Sequence, residues 1–329
     1  MNFIKIIVGL MGAGLWYSTW AQAAPSCSTQ KGMSAVDISQ PVTTIKTASG
    51  KSGVEAFKVI GVKTIARYYD WATADITCKS LLPTESDAII NAGLSIITVF
   101  QHENSDPETF FNAKRAAIDA KQALQMASAN GQPAGSAIYF AVDGVDQTIK
   151  DSVFEYNVNR GKSISTARRK RLLHADPSFR KHIKFYGRFL TYHRNIFHKS
   201  APEIHATDML PFVDRYFRTL REDLKADGRY KLGVYGSGAV CQHVMKLGLA
   251  DYCWLAMSQG WPGTKAYQIG GKWSLAQQRS TFCKGWKFKE EEMVRFDFNR
   301  VKGSSFGQWS KKGPITPSAS LPATCKPSW

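Results

Sequence analysis

Four short apolar runs, separated by helix-like stretches, constrain this chain more than any other feature. They are 34–39 (SAVDIS), 64–70 (TIARYYD), 95–101 (SIITVFQ) and 137–143 (AIYFAVD). The first three begin 30 and 31 residues apart, at 34, 64 and 95. Runs of this length, bounded by turn residues, read as buried strands. The stretches between them, 52–60, 83–91 and 107–130, have helical character. Pro83 and Pro107 suit a first helical turn, and Gly61, Gly93 and Gly131 suit the position just past a helix end. Strand, helix, strand at this interval predicts βαβ units and a parallel sheet.

The later half repeats the pattern. Segments 230–237, 252–258, 272–278 and 293–301 read as a fifth to eighth strand, and 208–225 as an amphipathic helix before the fifth. Eight strands with intervening helices predict an α/β fold of (β/α)8 TIM type, with an open doubly wound sheet as the alternative. No G-x-G-x-x-G follows a strand, which disfavours a dinucleotide site. The barrel is expected over 34–301, with an irregular tail over 302–329.

The N-terminus carries Lys5, an apolar stretch over 6–17 and then A-Q-A-A at 21–24. This is the order of a secretory signal peptide, expected over 1–23. The apolar stretch is short for a membrane span, which needs about 20 residues. The protein is therefore expected to be exported, to a periplasm or beyond, with no transmembrane segment after cleavage. Six cysteines follow the leader, and no C-x-x-C pair is among them. In an oxidising compartment they predict disulfides rather than a zinc knuckle. Cys27 and Cys325, near the two chain ends, are the expected pair.

The formal net charge is +17. Much of it lies in 147–207, which holds 13 Lys or Arg against four Asp or Glu, and five of the seven histidines. This segment reads as a basic helical insertion after the fourth strand. An anionic envelope polymer is its expected partner, and a solvated hairpin is the bland alternative. Basic residues interleaved with aromatics also suit nucleic acid, but export argues against it and no nucleic acid is expected. The histidine spacings match no standard metal motif, so neither a metal nor a cofactor is expected.

In a barrel, chemistry sits at the C-terminal ends of the strands. Asp37, Asp70, Glu103, Asp143 and Asp146 fall there, and Asp297 lies within the eighth strand. Acids brought together raise one another's pKa, as the general acid of glycosidic cleavage requires. Tyr68, Tyr69, Trp71, Tyr235, Trp254 and Trp261 are placed to stack on sugar rings. G-S-G at 236–238 is not a G-x-S-x-G elbow, and Cys241 near His243 fits a disulfide better than a thiol nucleophile.

Five motifs occur in order: VDIS at 36–39, ARYYD at 66–70, IYFAVD at 138–143, KLGVYGSGAVC at 231–241 and WLAMSQGW at 254–261. Together they resemble a bacterial secreted glycoside-hydrolase-like TIM-barrel family, long classed as of unknown function and related to the family 25 lysozymes. The resemblance implies action on, or binding of, peptidoglycan or a related N-acetylated glycan. It implies Asp143, Asp37 and Asp297 as catalytic residues, and Tyr235 and Gln277 (or Gln278 in place of Gln277) as matches to further family positions. Tyr68, Gln101, Glu103 and Trp254, at or near strand ends, complete the expected substrate-binding set with Tyr235 and Gln277. One departure stands out: the lysozymes carry D-x-E on the fourth strand, and here Ala141 takes the place of the first acid. Two further readings follow: a non-catalytic glycan-binding barrel, and an envelope interaction module using the cleft and the basic insertion. The expected geometry is a parallel barrel with Asp37, Asp143 and Asp297 in one cleft.

Overall fold

A computed structural model describes residues 27, 29, 32–70, 79–104, 108–143, 206–256, 261–288 and 294–315. The leader over 1–23, the insertion as far as 205, Trp71, Cys78, Asp146 and Cys325 lie outside the described residues.

The strands are β1 (Ala35–Asp37), β2 (Thr64–Tyr69), β3 (Ser95–Phe100), β4 (Ala137–Ala141), β5 (Lys231–Gly236), β6 (Tyr252–Leu255), β7 (Leu275–Phe282) and β8 (Arg295–Val301). They close into a barrel in sequence order. The helices described are α1 (Gly53–Val59), α2 (Pro83–Asn91), α3 (Glu108–Phe111), α4 (Arg115–Ala129), α5 (Ala206–Asp227), α6 (Gly238–Lys246) and α7 (Thr264–Gly270). The mixed α/β barrel with helices between strands is the fold that the strand spacing predicts. None of the described helices is long and apolar enough to cross a membrane.

Local chemistry sets the helix starts. Ser52 caps α1 in a reciprocal capping box with Glu55, which ties off two N–H groups that the first turn leaves unpaired. Pro83 opens α2. Ser237 caps α6 by accepting from Val240 N, so the G-S-G serine is a helix cap. The single helix expected over 107–130 is instead broken into α3 and α4. The Asn112 side chain accepts from Lys114 N at 3.0 Å, a local turn that competes with helix continuation.

The expectation of an all-parallel barrel needs correction. β8 runs antiparallel to both β1 and β7. A parallel return requires a crossover, usually a helix, and no helix lies among the described residues of the 283–294 connection. The expected Cys27–Cys325 pair is also corrected, since Cys27 is bonded to Cys283. A second disulfide joins Cys241 on α6 to Cys253 on β6.

Side-chain alternation divides each strand between two cores. One face packs on the helices, with Ile65, Tyr69, Ile96, Phe100, Ile138 and Phe140 among the buried residues. The other fills the barrel, with Ala66, Ile97, Val99, Ala137, Tyr139, Ala141, Trp254 and Leu275. Phe306 plugs the N-terminal end of this interior. Its carbonyl accepts from Tyr139 Oη at 2.7 Å, and the neighbouring Gly307 carbonyl accepts from Ala137 N at 2.9 Å. Residues 302–315 are irregular in backbone, apart from a bridge between Ile96 and Trp309, yet Phe306 and Trp309 are buried.

Candidate functional site

A period of two carries the interior face to the strand ends. Ala35 and Asp37 share a face, as do Ala66 and Tyr68, Val99 and Gln101, and Ala141 and Asp143. Asp37, Tyr68, Val99, Gln101, Asp143, Tyr235 and Trp254 line one pocket that opens to solvent. Asp297 joins it from β8, where it stands opposite Asp37 in the antiparallel register.

Asp37 and Asp297 are tied together by a single amide. Gln277 Nε2 lies 2.5 Å from Asp297 Oδ2 and 3.3 Å from Asp37 Oδ1, while Gln277 Oε1 accepts from Tyr235 Oη at 3.0 Å. A second amide works the same way. Trp254 Nε1 donates to Asn299 Oδ1 at 2.7 Å, which leaves Asn299 Nδ2 to donate to Asp37 Oδ2 at 2.6 Å. In each case an aromatic donor fixes the amide's oxygen and so aims its nitrogen at an acid.

Burial pushes the Asp37 carboxyl up to about 8, with the nearby charge of Asp297 adding to the rise and the Asn299 and Gln277 hydrogen bonds opposing it. Burial also raises Asp297, against hydrogen bonds from Ser280 and Gln277. Two close carboxyls cannot both ionise cheaply, so the pairing favours the protonated form of Asp37. Asp143 is raised by burial as well, opposed by a 2.6 Å hydrogen bond from Gln101 Nε2 and by the charge of Lys79. Tyr68 and Tyr235 are raised by burial and by the surrounding carboxylates, so both remain neutral phenols.

Other sequence candidates fall elsewhere. Gln277, not Gln278, reaches the acids; the Gln278 amide turns back to the Ala276 and Gln277 carbonyls. Glu103 stands apart from the pocket lining, with a side chain 61% exposed and paired to Arg115 at 3.3 Å. Its φ of 53° turns the chain there. Tyr69 points to the helix layer and donates to Gln132 at 2.9 Å. Asp70 is buried beside His102, with 2.7 Å between Oδ1 and Nδ1. Trp261 belongs to the turn before α7, outside the pocket lining. Among the described residues, no group of three or more His, Cys, Asp or Glu is arranged to hold a metal ion.

Asn299 and Lys79 were not singled out in the sequence. Asn299 shares the inward parity of Asp297 and Val301, a signal that was available. Lys79 lies in no strand, and nothing local marks it.

Two curated relatives come from Bacillus subtilis (strain 168), and both carry the description of uncharacterized proteins. YbfG is 23% identical over 226 residues, covering 66% of this chain and 23% of its own length. FadG is 23% identical over 266 residues, covering 79% of this chain and 34% of its own length. The chain thus spans about a quarter to a third of the relatives it matches. Among solved structures, the Mycobacterium tuberculosis Tat-secreted protein Rv2525c, crystallised with HEPES, is 14% identical with a TM-score of 0.48, covering 84% of this chain and 98% of that one. A family model matches residues 55–169, a stretch that includes Tyr68, Gln101 and Asp143. The matching model is that of the Rv2525c-like, glycoside hydrolase-like domain, to which this stretch is similar.

Proposed function

We propose that the pocket takes a sugar of peptidoglycan or a related N-acetylated glycan and cleaves its glycosidic bond. The observation that carries this reading is the meeting of an amide-linked pair of acids, Asp37 and Asp297, with a separate acid, Asp143, beside Tyr68, Tyr235 and Trp254. Glycosidic cleavage needs one acid to protonate the leaving oxygen. Asp143 suits that role because burial favours its protonated form. Its proton passes to the glycosidic oxygen as the bond from the anomeric carbon breaks. The substrate's own acetamido oxygen closes on that carbon, a route some glycosidases use in place of a second carboxylate. The Asp37–Asp297 pair accepts the acetamido N–H and balances the positive charge. Water then opens the cyclic intermediate, with the Asp143 carboxylate taking its proton.

A non-catalytic glycan-binding barrel is the second reading. Ala141 favours it: the position is fully buried and gives Asp143 no acidic neighbour on β4. Export to a periplasm or the exterior is part of the proposal, supported by the leader-like 1–23 segment and by the two disulfides. A contact of the 147–207 insertion with an anionic envelope polymer is proposed from its charge.

The test is incubation of the mature protein with purified peptidoglycan, followed by assay of new reducing ends. Release that disappears in Asp143→Asn supports the hydrolase. Binding without release by the unmodified protein supports the binding module, and neither binding nor release overturns both.

A further inference from the structure

Lys79 is not among the residues that line the pocket, but it touches two that are. Its Nζ donates to Gln101 Oε1 at 2.9 Å, and Gln101 Nε2 donates in turn to Asp143 Oδ2 at 2.6 Å. The ammonium also sits 4.4 Å from the Tyr68 ring centroid and 3.9 Å from Asp70 Oδ2. Asp70 Oδ2 is buried and has no hydrogen-bond partner among the described residues, while Oδ1 is engaged by His102.

A glutamine side chain is nearly symmetric in shape and opposite in function at its two ends. With Nε2 toward Asp143, it donates and favours the carboxylate. Flipped, Oε1 would face Asp143 and favour the protonated acid, whose O–H could then donate. An ammonium has donors and no acceptor, so Lys79 can meet only the oxygen end. We infer that Lys79 is a positioning residue that locks the Gln101 amide and thereby sets the protonation balance of Asp143, with buried Asp70 as its counter-charge. The same logic operates across the pocket, where Trp254 and Tyr235 lock Asn299 and Gln277. There the locks are neutral; here the lock is a charge. The inference concerns Asp143 itself and holds whether the pocket cuts a glycan or only binds one.

Among the described residues, the charged and titratable groups around Asp143 are Lys79, Asp37, Tyr68 and Tyr235, with Asp297 beyond Asp37. Those facing Lys79, again among the described residues, are Asp70, Asp143 and Arg67. Any of these charges could act on Asp143 through space, so the experiment must separate orientation from charge. The readout is the titration of the Asp143 carboxyl carbon by NMR in the full mature chain without glycan, assigned with Asp143→Asn. Lys79→Met should raise the proton affinity of Asp143 roughly tenfold, the scale of one charge-assisted hydrogen bond. Lys79→Arg, which also has donors only, should stay close to the unmodified protein. In a Gln101→Met background, Lys79→Met should add little, because the amide it controls is gone. An equal rise with and without the Gln101 amide would overturn the inference in favour of plain charge, and no rise at all would overturn it outright. Within the unmodified protein, the Gln101 side-chain amide protons should titrate at the Asp143 midpoint. An amide insensitive to that midpoint counts against the lock, even should Lys79→Met fail to fold.

Discussion

Asp37 and Asp297 stand opposite each other in the antiparallel register of β1 and β8, and one amide nitrogen, Nε2 of Gln277, reaches both carboxylates. The reversed strand creates this pairing, because it turns a residue in the middle of β8 toward the end of β1. Asn299 and Trp254 support Asp37 from behind. The result is an acid that holds its proton well above the usual carboxylate range.

That proton makes stability depend on pH. Asp37 titrates near 3.8 when unfolded and near 8 when folded. Between those values the folded chain holds a proton that the unfolded chain has lost, so stability falls as pH rises through the window. Urea midpoints should therefore decline from about pH 4 to about pH 8, and Asp37→Asn should flatten part of that decline. An unchanged slope in the variant would show that Asp37 does not hold the proton.

Arg67 anchors the chain just beyond Asp37. It is fully buried, pairs with Glu85 at 2.8 Å, and donates to the carbonyls of Ile38 and Ser39 at 2.5 and 2.9 Å. Glu85 also accepts from Val42 N at 2.7 Å. Arg67→Met leaves a buried carboxylate and two carbonyls without their partner, and should cost about 3–5 kcal/mol in urea unfolding. A loss below about 1 kcal/mol, the range of a surface pair, would contradict this burial.

Gly233 lies under the Tyr139 ring, and an added Cβ would fall 2.4 Å from it. Tyr139 cannot move freely, since its hydroxyl holds Phe306 at the barrel floor and its ring packs perpendicular to that of Trp254. Gly233→Ala should therefore destabilise by about 1–3 kcal/mol through overpacking. A thermal melt matching the unmodified protein would show that the ring has room to shift.

Four of the six cysteines are paired in two disulfides, so at most two thiols should react in the denatured, unreduced protein. The pairs should differ in weight. Chain-entropy scaling gives about 5 kcal/mol for the 256-residue separation of Cys27 and Cys283, and about 3 for the 12-residue separation of Cys241 and Cys253. Cys27→Ser with Cys283→Ser should thus lower the melting temperature more than the Cys241 and Cys253 pair of substitutions. The reverse order would place the stabilisation in the native state rather than in the unfolded chain.

The sequence by itself determined the barrel and much of the site's membership. Apolar runs at regular intervals, Pro83 at a helix start and glycines past helix ends are local signals, and local signals survive without coordinates. Strand-end position marked Asp37 and Asp143 for the same reason, and β8 was marked as a strand. Its direction was not, because a period of two reads identically both ways along a chain. The choice between Gln277 and Gln278, the partner of Cys27, and the roles of Asn299 and Lys79 were decided by the tertiary structure alone. Gln277 meets Asp37 across 240 residues, and Asn299 meets it across 262. Contacts at such separations depend on barrel closure, which brings the last strand beside the first, and no short-range pattern encodes which amide nitrogen will then face which acid.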